Sequence, residues 1–129
     1  MRRLVFILSL FFTVSIIPLS CEDNLETSSD QVCNVENPLE DLPWLKDMVQ
    51  AIQLSMRPTG SQIIQYTYQG DYVFWVDMCY QCADGLIVVY NCAGEVICLF
   101  GGIDGRNTCP DFETEATDST NLFQSYESL

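Results

Sequence analysis

Hydrophobic residues follow three different periods along the chain, and each period predicts a different element. Residues 4–17 are uncharged and mostly apolar, interrupted by Ser9, Thr13 and Ser15. Further on, Leu45, Met48, Val49 and Ile52 recur at helical spacing, with Lys46, Asp47, Gln50 and Gln53 facing away, the pattern of an amphipathic helix. From residue 62 the period shortens to two. β-Branched and aromatic residues crowd the runs 62–68, 72–78, 86–90 and 95–100, each bounded by turn residues, and these read as strands.

Local signals sharpen the boundaries. Asn37, Pro38 and Glu40 read as a helix start: a capping residue, a proline at the first helical position, and an acid that completes a capping box. Pro43 interrupts that start, so either the first turn is a separate short piece or the main helix begins again at Asp41–Pro43. Arg57 suits the negative end of the helix dipole, and Pro58, Thr59 and Gly60 stop the helix. Gln69, Gly70 and Asp71 make a short link between the first two strands, which implies an antiparallel hairpin. The expected fold class is α+β: one N-terminal amphipathic helix packed on a four-stranded antiparallel β meander, stapled by disulfides.

The leading apolar run has another meaning. Arg2 and Arg3 precede it and Pro18 ends it, which is the anatomy of an export signal. At fourteen residues it is shorter than the roughly 20 that a membrane-spanning helix needs. Leu19, Ser20 and Cys21 resemble the bacterial lipobox, one position out of its ideal register, and the resemblance implies a diacyl or triacyl anchor on Cys21. Two or more acyl chains hold a protein to a membrane stably, at about 0.8 kcal/mol per buried methylene. The expected organisation is then a lipoprotein signal peptide at 1–20, a flexible acidic tether at 21–32, a small disulfide-containing domain at 33–112, and a disordered Ser/Thr-rich acidic tail at 113–129.

Charge and cysteines narrow the function classes. All eighteen acids follow Cys21, so removal of the signal leaves Lys46, Arg57 and Arg106 against them, 3 − 18 = −15. Such a surface repels polyanions, which argues against a nucleic-acid partner. Of seven cysteines, six remain beside Cys21: Cys33, Cys79, Cys82, Cys92, Cys98 and Cys109. An even count in a small exported domain reads as a disulfide framework, with fifteen pairings open.

Sharper chemistry is weighed against that framework. Zinc at Cys79, Cys82, Cys92 and Cys98 lacks two close pairs at the usual separation, and no metal or cofactor is expected. A redox CxxC is expected at a helix N-terminus, whereas CYQC follows a strand and precedes Asp84-Gly85. Asp104, Asn107, Asp111 and Glu113 lack the alternating register of a calcium loop. Gly105 is followed by Arg106 and Asn107 where a phosphate loop has lysine and a hydroxyl residue. Tyr66, Tyr68, Tyr72, Phe74, Trp75, Tyr80 and Tyr90 read first as packing and second as a surface for a sugar or peptide. The chain has no histidine, which removes the commonest general base and every His-ligated metal. Catalysis is not expected.

The stretches NVENPLEDLPWLK (34–46), VVYNCAGEVIC (88–98), and CLFGG followed by CPDF resemble a group of small Bacteroidetes lipoproteins with no assigned activity. The resemblance runs from Cys33 to Phe112, and the acids after Cys21 resemble the surface-export tag of that phylum. It implies a lipid-anchored domain at the cell envelope, on the outer membrane, and transfers no functional residue. The expected role is non-catalytic binding of an envelope protein or glycan. The alternatives are an inhibitor of a secreted protease or lysozyme, presenting the CYQCADG loop, and a thiol-disulfide oxidoreductase using Cys79 and Cys82.

Overall fold

A computed structural model describes residues 31–55 and 60–125. The expected signal peptide, Cys21, the tether up to residue 30 and Arg57 lie outside the described residues.

The helical region is two pieces, α1 (Pro38–Asp41) and α2 (Pro43–Leu54), and the break has a local cause. A proline disfavours helical backbone in the residue before it, and Leu42 is extended at φ −91°, ψ 107°. Pro43 then occupies the first turn of α2, where its missing N–H costs nothing. The expected capping box does not form. In a helix one turn long, Asp41 folds back and its Oδ2 accepts the Asn37 N–H at 2.9 Å, while Glu40 pairs with Lys46 at 3.5 Å.

The strands are β1 (Ser61–Tyr68), β2 (Asp71–Asp77), β3 (Leu86–Asn91), β4 (Val96–Gly101), β5 (Arg106–Asn107) and β6 (Thr117–Ser125), with a short α3 (Phe112–Glu115) before the last. The expectation of four strands is corrected to six. All pairs are antiparallel, in the order β5-β4-β3-β2-β1-β6. The meander β1–β4 lies within a residue of its expected position. The expected disordered tail is instead α3 and β6 as far as Ser125. Both edges are awkward templates for another chain: β5 is two residues long, and β6 carries two register shifts against β1.

Because β6 lies beyond β1, residues 108–116 must cross the face of the sheet opposite α2. Cross-strand pairs fix what each face presents. Ile63 opposite Val76 and Phe74 opposite Tyr90 lie under α2, where Leu42, Leu45 and Ile52 complete a buried cluster. Val73, Val89 and Cys98 with Tyr68 form a second cluster on the other face, closed by Phe112. Phe112 packs among Tyr66, Tyr68 and Phe100 at centroid distances of 5.4, 4.9 and 5.4 Å. Most of the tyrosine and tryptophan residues in the expected aromatic cluster thus border the two cores, and Tyr80 is exposed.

Trp44 docks α2 on the sheet. Its ring meets Phe74 edge-on at 5.6 Å and Tyr90 at 5.4 Å, and its Nε1–H donates to the Cys92 carbonyl at 3.0 Å. Gly94 lies beneath the indole at φ +81°, and a Cβ there would stand 2.8 Å from Cγ of Trp44. The Cys33–Cys92 disulfide, with Cα atoms 5.5 Å apart, ties the segment before α1 to the same turn. Closing its long loop is worth about 4 kcal/mol on the chain-entropy account, against about 3 kcal/mol for the shorter Cys98–Cys109 loop.

Replacing Trp44 by Ala is expected to cost about 3–5 kcal/mol. Gly94→Ala is expected to cost on the order of 3 kcal/mol, from left-handed backbone and overlap with the indole. Urea unfolding of both single variants and the double variant checks the contact: in the Trp44→Ala background the Gly94→Ala cost falls to the backbone part alone, and full additivity contradicts the packing.

Candidate functional site

The crossing segment does not seal the whole second face. At one end of the sheet, β1 turns into β2 through Gln69 and Gly70, both at positive φ (52° and 86°), as a two-residue hairpin turn with the sheet's own twist requires. Between this hairpin and the crossing segment lies a cavity of about 430 Å³. Tyr68 and Asp71 line it from the hairpin, Asn91 and Ile97 from β3 and β4, and Asp111 from the crossing segment, with the Cys98–Cys109 disulfide in its wall.

Its polar groups are held in place before any ligand arrives. The Tyr68 hydroxyl donates to Asp111 Oδ1 at 2.9 Å and accepts from Gln69 Nε2 at 3.1 Å. The crossing segment is fixed at its start: Thr108 Oγ1 accepts the Leu99 N–H at 2.8 Å, and Asn107 Oδ1 accepts the Cys109 N–H at 3.2 Å. Burial pushes the Tyr68 phenol above the ordinary tyrosine range, and the hydrogen bond to Asp111 and the charges of Asp111 and Glu115 push it the same way. Among the described residues the ion pairs are Lys46 with Glu40 and Arg106 with Asp104, so neither cavity carboxylate meets a cation among those residues. The arrangement offers fixed hydrogen-bond acceptors, one phenol and the apolar side chain of Ile97, a lining suited to holding a polar group.

The CYQCADG loop stands at the opposite end, joining β2 to β3. Strands of this length set the two places roughly 20 Å apart. Cys79 and Cys82 are bridged to each other, with Cα atoms 5.3 Å apart. The turn is anchored by its own hydrogen bonds. Asp77 is buried and its Oδ1 accepts the Cys79 N–H at 2.8 Å, the Cys82 N–H donates to the Cys79 carbonyl at 2.9 Å, and the Tyr80 N–H donates to the Gly60 carbonyl at 3.2 Å. The Gly102 N–H holds the Gly85 carbonyl at 3.0 Å, and a Cβ on Gly101 would stand 2.5 Å from that same oxygen, so the loop seats on a strand end that has room for no side chain.

All six cysteines beside Cys21 are paired: Cys33 with Cys92, Cys79 with Cys82, and Cys98 with Cys109. The four cysteines weighed for zinc are divided among three bridges. The residues weighed for calcium are also dispersed, since Asp104 pairs with Arg106, Asn107 caps Cys109, Asp111 holds Tyr68, and Glu113 is exposed on α3. Among the described residues, no group of three or more His, Cys, Asp or Glu side chains is placed to hold a metal ion. Asp71, Asn91 and the pairing of Tyr68 with Asp111 were invisible in the sequence. Strand pairing brings Tyr68, Asp71 and Asn91 together, and Asp111 joins them only because residues 108–116 cross the second face.

A family model described as a domain of unknown function (DUF6970) matches residues 50–125. The chain belongs to this family. The match contains all six strands, the cavity and the CYQC turn, whereas Trp44 and Cys33 precede it. No curated protein and no solved structure matches the chain.

The raised Tyr68 pKa carries a sign. Folding favours the neutral phenol, so its contribution is fully present below the ordinary value of about 10 and is lost as pH rises through the higher folded value. In an absorbance titration, the difference between the native protein and Tyr68→Phe is expected to show one ionisation above the ordinary range. The variant is also expected to lose less stability than the native protein in alkaline urea titrations. A difference ionisation at or below the ordinary value contradicts the burial and the hydrogen bond.

Proposed function

We propose that this chain is a lipid-anchored, non-catalytic binding domain of the cell envelope, fastened by acyl chains on Cys21 and taking a polar group of an envelope protein or glycan into the cavity beside the β1–β2 hairpin. The observation that carries the reading is the cavity itself, whose donors and acceptors are already oriented on walls braced by Cys98–Cys109. A preset site loses little conformational freedom on binding, so modest contacts suffice for useful affinity.

The anchoring part rests on the sequence. An apolar run behind Arg2 and Arg3, ending just before Cys21, supports export and lipidation. The net charge of 3 − 18 = −15 on the chain from Cys21 onward repels anionic lipid headgroups and holds the domain off the surface with its cavity accessible. The absence of histidine supports the non-catalytic reading, because it leaves no imidazole to activate a nucleophile or a metal-bound water. The resemblance to Bacteroidetes lipoproteins supports the outer membrane as the location.

Two measurements test the proposal together. Cells fed a labelled fatty acid are expected to label the native chain and not Cys21→Ala; an unlabelled native chain contradicts the anchor. The full chain in detergent, immobilised and exposed to envelope extract, is expected to retain one protein or glycan. Retention should drop at least tenfold in Asp71→Trp, which fills the cavity mouth from an exposed strand-end position. Equal retention by that variant, or none by the native chain, overturns the binding reading.

A further inference from the structure

The three disulfides do different work. Cys33–Cys92 and Cys98–Cys109 span 59 and 11 residues and join separate parts of the fold, whereas Cys79–Cys82 spans 3 and joins only the two ends of its own turn. A bridge closing so short a loop constrains the unfolded chain least. The turn does not need it either, since Asp77, Gly60 and Gly102 hold the backbone from outside. The two residues also differ in exposure, Cys82 being exposed and Cys79 half-buried.

We propose that Cys79–Cys82 is an exchangeable disulfide that takes two electrons from the dithiol of a partner protein, while the other two bridges stay closed and hold the fold. A partner thiolate attacks Sγ of Cys82, the more exposed of the two residues. The Cys79–Cys82 bond breaks, and Cys79 leaves as a thiolate that takes up a proton. The partner's second thiolate then attacks the partner sulfur of the mixed disulfide, releasing Cys82 as a thiolate that is protonated in turn. The partner dithiol has become a disulfide, losing two electrons and two protons, and the CYQC pair has gained them. Because the backbone hydrogen bonds persist, the reduced cysteines stay close enough to close again. The turn lies at the far end of the sheet from the cavity, so this stoichiometric exchange, in which the chain is the oxidant and not a catalyst, stands or falls separately from ligand binding there.

The full chain in detergent is equilibrated with graded ratios of reduced to oxidised dithiothreitol. Free thiols are then alkylated and mapped by mass spectrometry, with circular dichroism followed in parallel. Cys79 and Cys82 are expected to label together at a ratio at least tenfold less reducing than the other four cysteines require, with the spectrum unchanged. Simultaneous labelling of all three pairs, labelling of this pair last, or loss of the folded spectrum when it opens overturns the proposal. Single variants test the site of attack. With glutathione disulfide, Cys79→Ser, which leaves Cys82, is expected to form a mixed disulfide at least tenfold faster than Cys82→Ser, which leaves Cys79. Equal or reversed rates contradict attack at Cys82.

Discussion

A helix of twelve residues, about 18 Å long, has to cover one face of a six-stranded sheet, and Trp44 is the side chain that makes the arrangement hold. Its ring fills the space between Phe74, Tyr90 and the bare backbone of Gly94, and its N–H satisfies the Cys92 carbonyl, which would otherwise lie under an apolar ring. The Cys33–Cys92 bridge closes on that same residue, so a hydrogen bond, an aromatic cluster and a covalent link converge on the β3–β4 turn. Leu45 and Ile52 can then be buried against Ile63 and Val76, because the helix has one position on the sheet.

The second face meets the same shortage of chain with a different device. The connection that carries the chain from β5 to β6 lies across that face and serves as its cover, pinned by Cys98–Cys109 and by Phe112 among three aromatic rings. A segment this short covers the face incompletely, and the uncovered corner is the cavity with Tyr68, Asp71 and Asp111 in its lining. The site is therefore a consequence of the topology. The bridges that secure the two covers leave Cys79–Cys82 as the one that joins only the two ends of its own turn.

Where a local rule governed an element, that element could be read from the residues alone. Leu45, Met48, Val49 and Ile52 marked the buried side of α2, and the alternation in 62–68 and 72–78 marked β1 and β2, because burial on one face imposes a period on the sequence. Strand β6 leaves no such trace. Its residues are mostly exposed Thr, Ser and Asn on a sheet edge, stabilised by backbone bonds to β1 that any side chain permits, so composition alone read the segment as a tail. The cavity was illegible for a related reason: Tyr68 and Asp111 are 43 residues apart and meet only through the crossing that β6 requires. The cysteine count implied a framework, but the pairing depends on which turns face each other across the sheet, and spacing does not encode that.

The covers are fastened according to which sulfurs are joined, and peptide mapping of the unreduced chain by mass spectrometry reads this directly. Three linked pairs are expected, Cys33 with Cys92, Cys98 with Cys109, and Cys79 with Cys82 in a single peptide. A link from Cys79 or Cys82 to any of the other four cysteines would contradict both the way the covers are fastened and the independence of the CYQC turn.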